Sequence, residues 1–473
     1  MKIFRESPSP KGQVFLLPPS IEEFVPADSP VRVIADVIDS LDCSKLYERY
    51  NGGGAPAYEP SIMIKVLVYA YSQGIRSSRK IAQALEQDLR FMYLSEMSKP
   101  RFRTIARFRR ENLEAISQLF VQTVKTSNEL GLVLLEHVSV DGTKIEANVS
   151  REETYRKDRL TKAIDDVEKR IAEILKEAEE ADTDEDAQYE GRRGDEIPEE
   201  LRDAETRKKR LIEAKKKLEE IGRKTIGTTD LESRVMKTRH GNKAAYNGQA
   251  AVDKESQIII AASVSQEEND YGQLSQMIDE IEKNTGKKPE TLTADGGYYT
   301  SDTVKELEDR KIDAYIPDGT QKKKEDNKPE LSYDKEQDEY VCPMGKHLKF
   351  STERNIKGLV YRVYRCNGCK GCALIEQCKP GKKPTKELYV RVDAEADSRM
   401  RAKMASEKGE SIYRLRKQIV EPVFGNIKWN MGMRRLLLRG LAGASIEYYL
   451  ACTCHNIGKI IQVWSARSLK SAC

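Results

Sequence analysis

Apolar residues recur at three- and four-residue steps through Val31 to Leu41, Ile62 to Tyr71 and Ile81 to Leu89, which predicts a mostly helical region over residues 1 to about 125. Pro60 opens the second of these helices and Gly74 closes it. From Leu132 the pattern changes. Leu132 to Val140 is a short apolar run ending in Asp141-Gly142, which predicts a buried strand. Residues 151–224 are highly charged, but Leu160, Ile164, Val167, Ile171 and Ile174 step by four and three, and Leu201, Ala204, Leu211, Ala214, Leu218 and Ile221 form a second seam. With the acidic turn Thr183 to Asp186 and the breakers Gly194 and Pro198 between them, the two seams predict an antiparallel helical hairpin. Beyond it, Ala245 to Val252 and Ile258 to Val264 read as a β-hairpin turning at Asp253 to Ser256. Helix Asp270 to Asn284, strand Glu290 to Ala294, helix Ser301 to Arg310 and strand Asp313 to Ile316 continue an α/β alternation. Residues 318–340, rich in lysine and acid, read as a mobile loop, and Ile446 to Trp464 as an amphipathic helix packed on the sheet.

Charge changes this picture only locally. Lys+Arg 81 against Asp+Glu 77 leaves +4 overall, so affinity for nucleic acid must come from patches. One exists: Arg76 to Arg110 holds ten basic residues against three acidic ones. A helix at Ser78 to Gln87, a break near Ser98 to Pro100 and a helix from Phe102 to Leu113 resemble a helix-turn-helix. It would carry Arg76, Arg79, Lys80, Arg103, Arg107, Arg109 and Arg110 toward DNA phosphates; the alternative is a solvated helix face. The start MKIFRESPSPKG lacks the apolar core of a signal peptide and no stretch is long enough to span a membrane, so the chain reads as cytoplasmic.

Two predicted strands end in Asp-Gly: Val138-Ser139-Val140-Asp141-Gly142 and Leu292-Thr293-Ala294-Asp295-Gly296. A carboxylate at the carboxyl edge of an open α/β sheet sits where ligands bind, though Asp-Gly is also ordinary turn chemistry. A third acid, Glu421, falls in the helical pattern Ser411 to Ile427, four residues after Lys417 and seven before Lys428, near one face of the predicted helix. Pro422 directly after it is a poor choice for a merely decorative helix.

In order along nearly the whole chain stand Leu16-Leu17-Pro18-Pro19-Ser20, Pro30-Val31-Arg32-Val33-Ile34, Ile75-Arg76-Ser77-Ser78-Arg79 and Thr104-Ile105-Ala106-Arg107-Phe108-Arg109-Arg110. They are followed by Val140-Asp141-Gly142-Thr143-Lys144, Tyr246-Asn247-Gly248-Gln249, Ala294-Asp295-Gly296-Gly297-Tyr298 and Val420-Glu421-Pro422-Val423-Phe424-Gly425-Asn426-Ile427-Lys428. In this order they resemble the bacterial insertion-sequence transposases of the DDE class. The resemblance implies an α/β catalytic domain of RNase H-like fold, a mixed sheet flanked by helices, behind an all-α N-terminal domain. It implies Asp141, Asp295 and Glu421 as catalytic acids holding two Mg²⁺ ions, with Mn²⁺ able to substitute; hard carboxylate oxygens suit such ions. In the related group a Tyr, Arg and Lys accompany the glutamate. Lys428 matches the lysine, whereas Tyr413 and Arg416 stand one residue off the pattern and Lys417 occupies the arginine position. Lys417, Lys428, Arg434 and Arg435 are further candidates for phosphate contact.

Between the second and third acids lie Cys342 and the run Cys366-x2-Cys369-x2-Cys372-x5-Cys378. Close thiols in a reducing compartment suggest a structural Zn²⁺, with one cysteine spare or His347 substituting; the alternative is a set of reduced thiols. The four histidines are scattered and suggest no nucleophile system.

The expected layout is therefore a DNA-binding domain over 1–125 and a catalytic domain over 126–465, interrupted by the hairpin at 151–224 and a Cys-rich insert at 318–385, with a tail at 466–473. The expected function is Mg²⁺-dependent cleavage at terminal inverted repeats and transfer of the 3′-hydroxyl ends into target DNA, by a homodimer in the DNA complex and without a membrane partner. The rivals are a catalytically silent DNA-binding derivative and a small RNA:DNA nuclease on the same fold.

Overall fold

The computed structural model describes residues 20–50, 56–150, 152–186, 199–318, 331–356, 359–378, 385–391 and 394–471. Part of the first motif quoted above, the breakers Gly194 and Pro198, and Cys473 lie outside them. The protein is mixed α/β, with an RNase H-like sheet and a helical N-terminal region. It folds as two compact units, residues 1–127, 144–246 and 425–473 in the first and 128–143 and 247–424 in the second. These units cut across the linear layout expected from the sequence.

In the first unit the expected helices form as Pro30–Ser40, Pro60–Ser72, Ser78–Gln87 and Phe102–Glu111, and an unexpected short helix, Leu89–Leu94, stands between the last two. Pro60 sits in the first turn of its helix, where its missing N–H is harmless. That helix is apolar on every side apart from Lys65, which pairs with Asp39, and buries every residue from Ile62 to Tyr71. What covers it is the long C-terminal helix Gly440–Ser471, whose Cys454 thiol donates to the Val68 carbonyl at 3.2 Å. The C-terminal helix thus packs on N-terminal helices and not on the sheet, because a helix without a polar side needs a second helix over it.

The charged segment forms the predicted hairpin, Lys157–Asp186 and Glu199–Glu220. Leu160, Ile164, Val167, Leu211, Ala214 and Leu218 make its core, and the ion pairs Lys157–Glu219, Glu168–Lys208 and Arg170–Glu200 fix the antiparallel sense. The expected acidic turn at Thr183 to Asp186 is instead the end of the first helix. Strand β1 is His137–Glu146; β2, Thr154–Arg156, pairs with β3, Thr225–Gly227, at the base of the hairpin. β4, Arg234–Thr238, pairs antiparallel with the start of β5, Gly241–Asp253.

β1 corrects the sequence reading. It does not end at Asp141-Gly142 but continues to Glu146, with Thr143, Ile145 and Ala147 buried at every second position.

In the second unit the rest of β5 pairs with β6, Ile259–Ser265, as the predicted hairpin. β7, Thr291–Ala294, and β8, Asp313–Tyr315, complete a sheet in which β5, β1, β7 and β8 are successive neighbours and β6 flanks β5. Helices Gln273–Thr285 and Ser301–Asp309 pack beside it, and Ala394–Ala405 and Glu407–Gly425 follow. The Cys-rich segment is a sheet of its own: β9 Ser332–Asp334, β10 Glu339–Val341, β11 His347–Ile356, β12 Leu359–Cys366 and β13 Lys386–Arg391, each antiparallel to the next. The part of the expected loop after residue 331 is therefore β9 and β10. Its few apolar residues suffice because they are aromatic: Tyr333, Tyr340 and Tyr364 stack with centroids 4.7–6.4 Å apart.

Candidate active site

Register brings the first two acids together. β1 and β7 run parallel with Val138 opposite Leu292 and Val140 opposite Ala294. Asp141, within β1, and Asp295, the residue after β7, therefore stand side by side, about 5 Å apart in the backbone. The Asp141 carboxylate accepts the Gly142 N–H at 2.8 Å, and the Asp295 carboxylate accepts the Gly297 N–H at the start of a 3₁₀ turn.

The glycines after each acid hold space open. A Cβ at Gly142 would lie 2.6 Å from Asp270 Oδ1, and one at Gly297 would lie 3.0 Å from Asp295 Oδ1 and 3.4 Å from Asp270 Oδ2. Asp270 is a carboxylate the sequence reading missed. Asn247 Nδ2 and Gln249 Nε2 donate to its Oδ1 at 2.6 and 2.8 Å, and the Tyr298 hydroxyl in turn donates to Gln249. The available signal was Asn247-x-Gln249, two buried amides two residues apart on one strand and so on one face. Buried amides need partners.

Helix Glu407–Gly425 supplies the counter-charge. Arg416 Nη1 donates to Asp141 Oδ2 at 2.7 Å, and the Tyr413 ring lies 5.7 Å from the same guanidinium. Burial pushes the Asp141 carboxyl up to about 6; Arg416 opposes this, and the charge of Asp295 adds to it. Arg416, set aside by the motif spacing, is thus the basic residue at the acids, while Lys417 is exposed. Pro422 cannot donate to the Gln418 carbonyl one turn earlier, and the Gln257 side chain fills that vacancy at 3.2 Å.

Glu421 is exposed, five residues beyond Arg416 and so about 140° further round the helix. The expected common face for Lys417, Glu421 and Lys428 is broken, since the α-helix ends at Gly425 and Lys428 lies on the π-helical turn Asn426–Asn430. Lys428 Nζ donates to the Lys144 carbonyl at 3.1 Å.

Among the described residues no three His, Cys, Asp or Glu side chains already converge as ligands around one point. The donor set nevertheless suits a hard divalent cation, with oxygens from Asp141, Asp295 and Asp270, and Arg416 paired to Asp141. Two buried atoms there, Arg416 Nε and Asn247 Oδ1, have no hydrogen-bond partner.

The basic candidates separate. Arg79, Lys80, Arg103, Arg107 and Arg110 are exposed, as are Arg434 and Arg435. Arg76 and Arg109 are buried to 8% and 3% exposure, where both pair with Glu447. This corrects their assignment as DNA contacts, because a buried guanidinium is committed to its internal carboxylate.

Residues 19–111 match the family model described as Transposase domain (DUF772), and residues 341–461 match the model described as Transposase DDE domain. The two matches support an insertion-sequence transposase of the DDE class. The second match contains Glu421 and the cysteine run, while Asp141 and Asp295 lie outside both. No similar sequence was found among curated proteins. The function of such a transposase is DNA transposition and recombination, and its partner is DNA. Among the described residues no helix is long and apolar enough to cross a membrane.

Proposed function

We propose that this transposase binds the terminal inverted repeats of its element in the cytoplasm, cleaves there with divalent metal, and joins the freed 3′-hydroxyls to target DNA, as a dimer on paired ends. The observation that carries this reading is the register-paired Asp141 and Asp295, with Asp270 beside them and glycines clearing the space between. Asp141 and Asp295 would hold Mg²⁺, with Glu421 joining once its helix face turns to the bound DNA. Mg²⁺ or Mn²⁺ bound there supplies Lewis acidity toward a phosphate oxygen and toward the attacking water or hydroxyl. Asp270, anchored by Asn247 and Gln249, adds negative charge at the same place. Arg416 neutralises Asp141 in the free protein, and its unpartnered Nε is a donor for a phosphate oxygen. Exposed Arg79, Lys80, Arg103, Arg107 and Arg110 on the N-terminal helices, with Lys417, Lys428, Arg434 and Arg435, supply phosphate contacts. Lys428 would exchange its carbonyl partner for one.

The deciding experiment uses labelled DNA carrying the element's flanking repeats, with Mg²⁺ or EDTA, for wild type and Asp295→Asn. Metal-dependent cleavage exposing a 3′ end and its joining to target, both lost in the variant, is the expected result. Binding of the repeats by both proteins with no cleavage would establish a silent DNA-binding derivative instead.

A further inference from the structure

Five thiols of the Cys-rich sheet have no part in the carboxylate chemistry, yet the fold gathers them. Cys342, Cys366, Cys369, Cys372 and Cys378 all line one apolar cavity of about 30 Å³, together with Lys346 and Lys386. Two turns meet to make it. The Cys342-Pro343-Met344-Gly345-Lys346 turn closes with Gly345 N–H donating to the Cys342 carbonyl at 2.8 Å, Gly345 at φ +65°, and the Lys346 N–H donating to the Cys342 sulfur at 3.4 Å. Lys346 Nζ then donates to the Gly368 carbonyl, tying this turn to the Cys366–Cys369 turn, and Lys386 Nζ donates to the Cys378 carbonyl at 2.8 Å.

We propose that Cys342, Cys369, Cys372 and Cys378 bind one structural Zn²⁺ as a tetrathiolate. Cys366, which neighbours the Cys369 thiol, is assigned as the spare because it belongs to strand β12 and packs against Leu348 and Tyr364, whereas the other four lie on turns or on the short helix Ile375–Cys378. His347 is excluded as well, since its Nδ1 is held by Glu339 at 2.5 Å and it does not line the cavity. The thiols do not yet converge on one point, so the metal is what draws the turns shut. Its bond energy then becomes folding energy for a small sheet with few apolar residues. The two lysines offset the net negative charge of the closed site.

The test is the zinc content of the full-length chain, purified without added metal and without chelator, for wild type, Cys342→Ser, Cys366→Ser and Cys43→Ser. One zinc per chain is expected in wild type, Cys366→Ser and Cys43→Ser, and less than a tenth of that in Cys342→Ser. Substituting Co²⁺ into wild type, which needs no variant to fold, should give the strong sulfur-to-metal charge-transfer absorption and intense visible bands of a tetrahedral thiolate site. Native wild-type protein without zinc, in which all five cluster thiols react freely with a thiol reagent and Co²⁺ gives only a weak octahedral spectrum, would overturn the proposal. Loss of zinc in Cys366→Ser with retention in Cys342→Ser would overturn the ligand assignment. The Asp295→Asn protein should carry the same zinc, which keeps this result separate from the fate of the catalytic reading.

Discussion

Two carboxylates, one in each compact unit, meet arginine in opposite ways. Glu447 in the first unit is fully buried and saturated: Arg76 and Arg109 pair with it at 3.4 and 3.7 Å, the Tyr71 hydroxyl donates at 3.4 Å and the Leu437 N–H at 2.8 Å. Both guanidiniums find further acceptors, Arg76 in the Gly432 and Arg435 carbonyls and Arg109 in the Arg76 carbonyl. Asp141 in the second unit has one guanidinium and one backbone N–H, with two more carboxylates beside it. A carboxylate met by two cations and two further donors is part of the scaffold. Asp141, with its one guanidinium and further carboxylates beside it, keeps an uneven charge balance, and the proposed metal site rests on that imbalance.

The largest effect that would sharpen this contrast is on cleavage. Asp141→Asn and Asp295→Asn should each lower it by at least about 1,000-fold, as expected when a metal-holding group is lost, while thermal melting stays within a few degrees of wild type. A variant that melts far lower would make Asp141 a scaffold residue like Glu447. Next in size, Glu447→Gln should destabilise the fold by about 3 to 5 kcal/mol, because it strands two buried guanidiniums; urea unfolding measures this, and a loss under 1 kcal/mol would break the contrast. Arg416→Gln should strengthen Mg²⁺ binding to the DNA-free protein several-fold by freeing Asp141, yet weaken cleavage of bound DNA. Titration calorimetry and the cleavage assay separate the two, and unchanged metal affinity would mean that Arg416 does not compete.

A smaller effect concerns pH. Burial lowers the pKa of His137 from its usual 6.5 to about 4, and its ring bonds Thr293 Oγ1 at 3.1 Å. The folded state resists protonation that the unfolded chain accepts, so the stabilising contribution is whole above pH 6.5 and is lost as pH falls toward 4. His137→Gln should flatten the unfolding free energy between pH 6.5 and 4, and an unchanged slope would assign the loss to another group. Smallest, Gln257→Ala should cost at most about 1 kcal/mol, since water takes over the exposed Gln418 carbonyl opposite Pro422.

Much of the fold was legible in the sequence. The helical hairpin followed from its two seams, the β5–β6 pair from alternation around Asp253, and the strands that carry Asp141 and Asp295, though not their pairing, from two apolar runs with the same ending. Where the reading failed, a local signal pointed the wrong way. Asp-Gly looked like the end of β1, although Thr143, Ile145 and Ala147 continue its alternation. Lysine and acid around residues 331–341 hid a sheet edge held by tyrosines, and a basic run in the N-terminal region made Arg76 and Arg109 look like surface residues.

The sequence by itself determined which segments are helix or strand and which side each buries, because periodicities of 3.6 and 2 are local properties of the backbone. It also determined the chemistry available, in the acids, arginines and thiols at their positions. Only the tertiary structure decided the partner of each charge. Arg76 reaches Glu447 across 371 positions, Arg416 reaches Asp141 across 275, and Asp270 enters the site on amides from β5. Such pairings leave no periodic trace, since the field of a charge depends on distance and burial in three dimensions and not on separation along the chain.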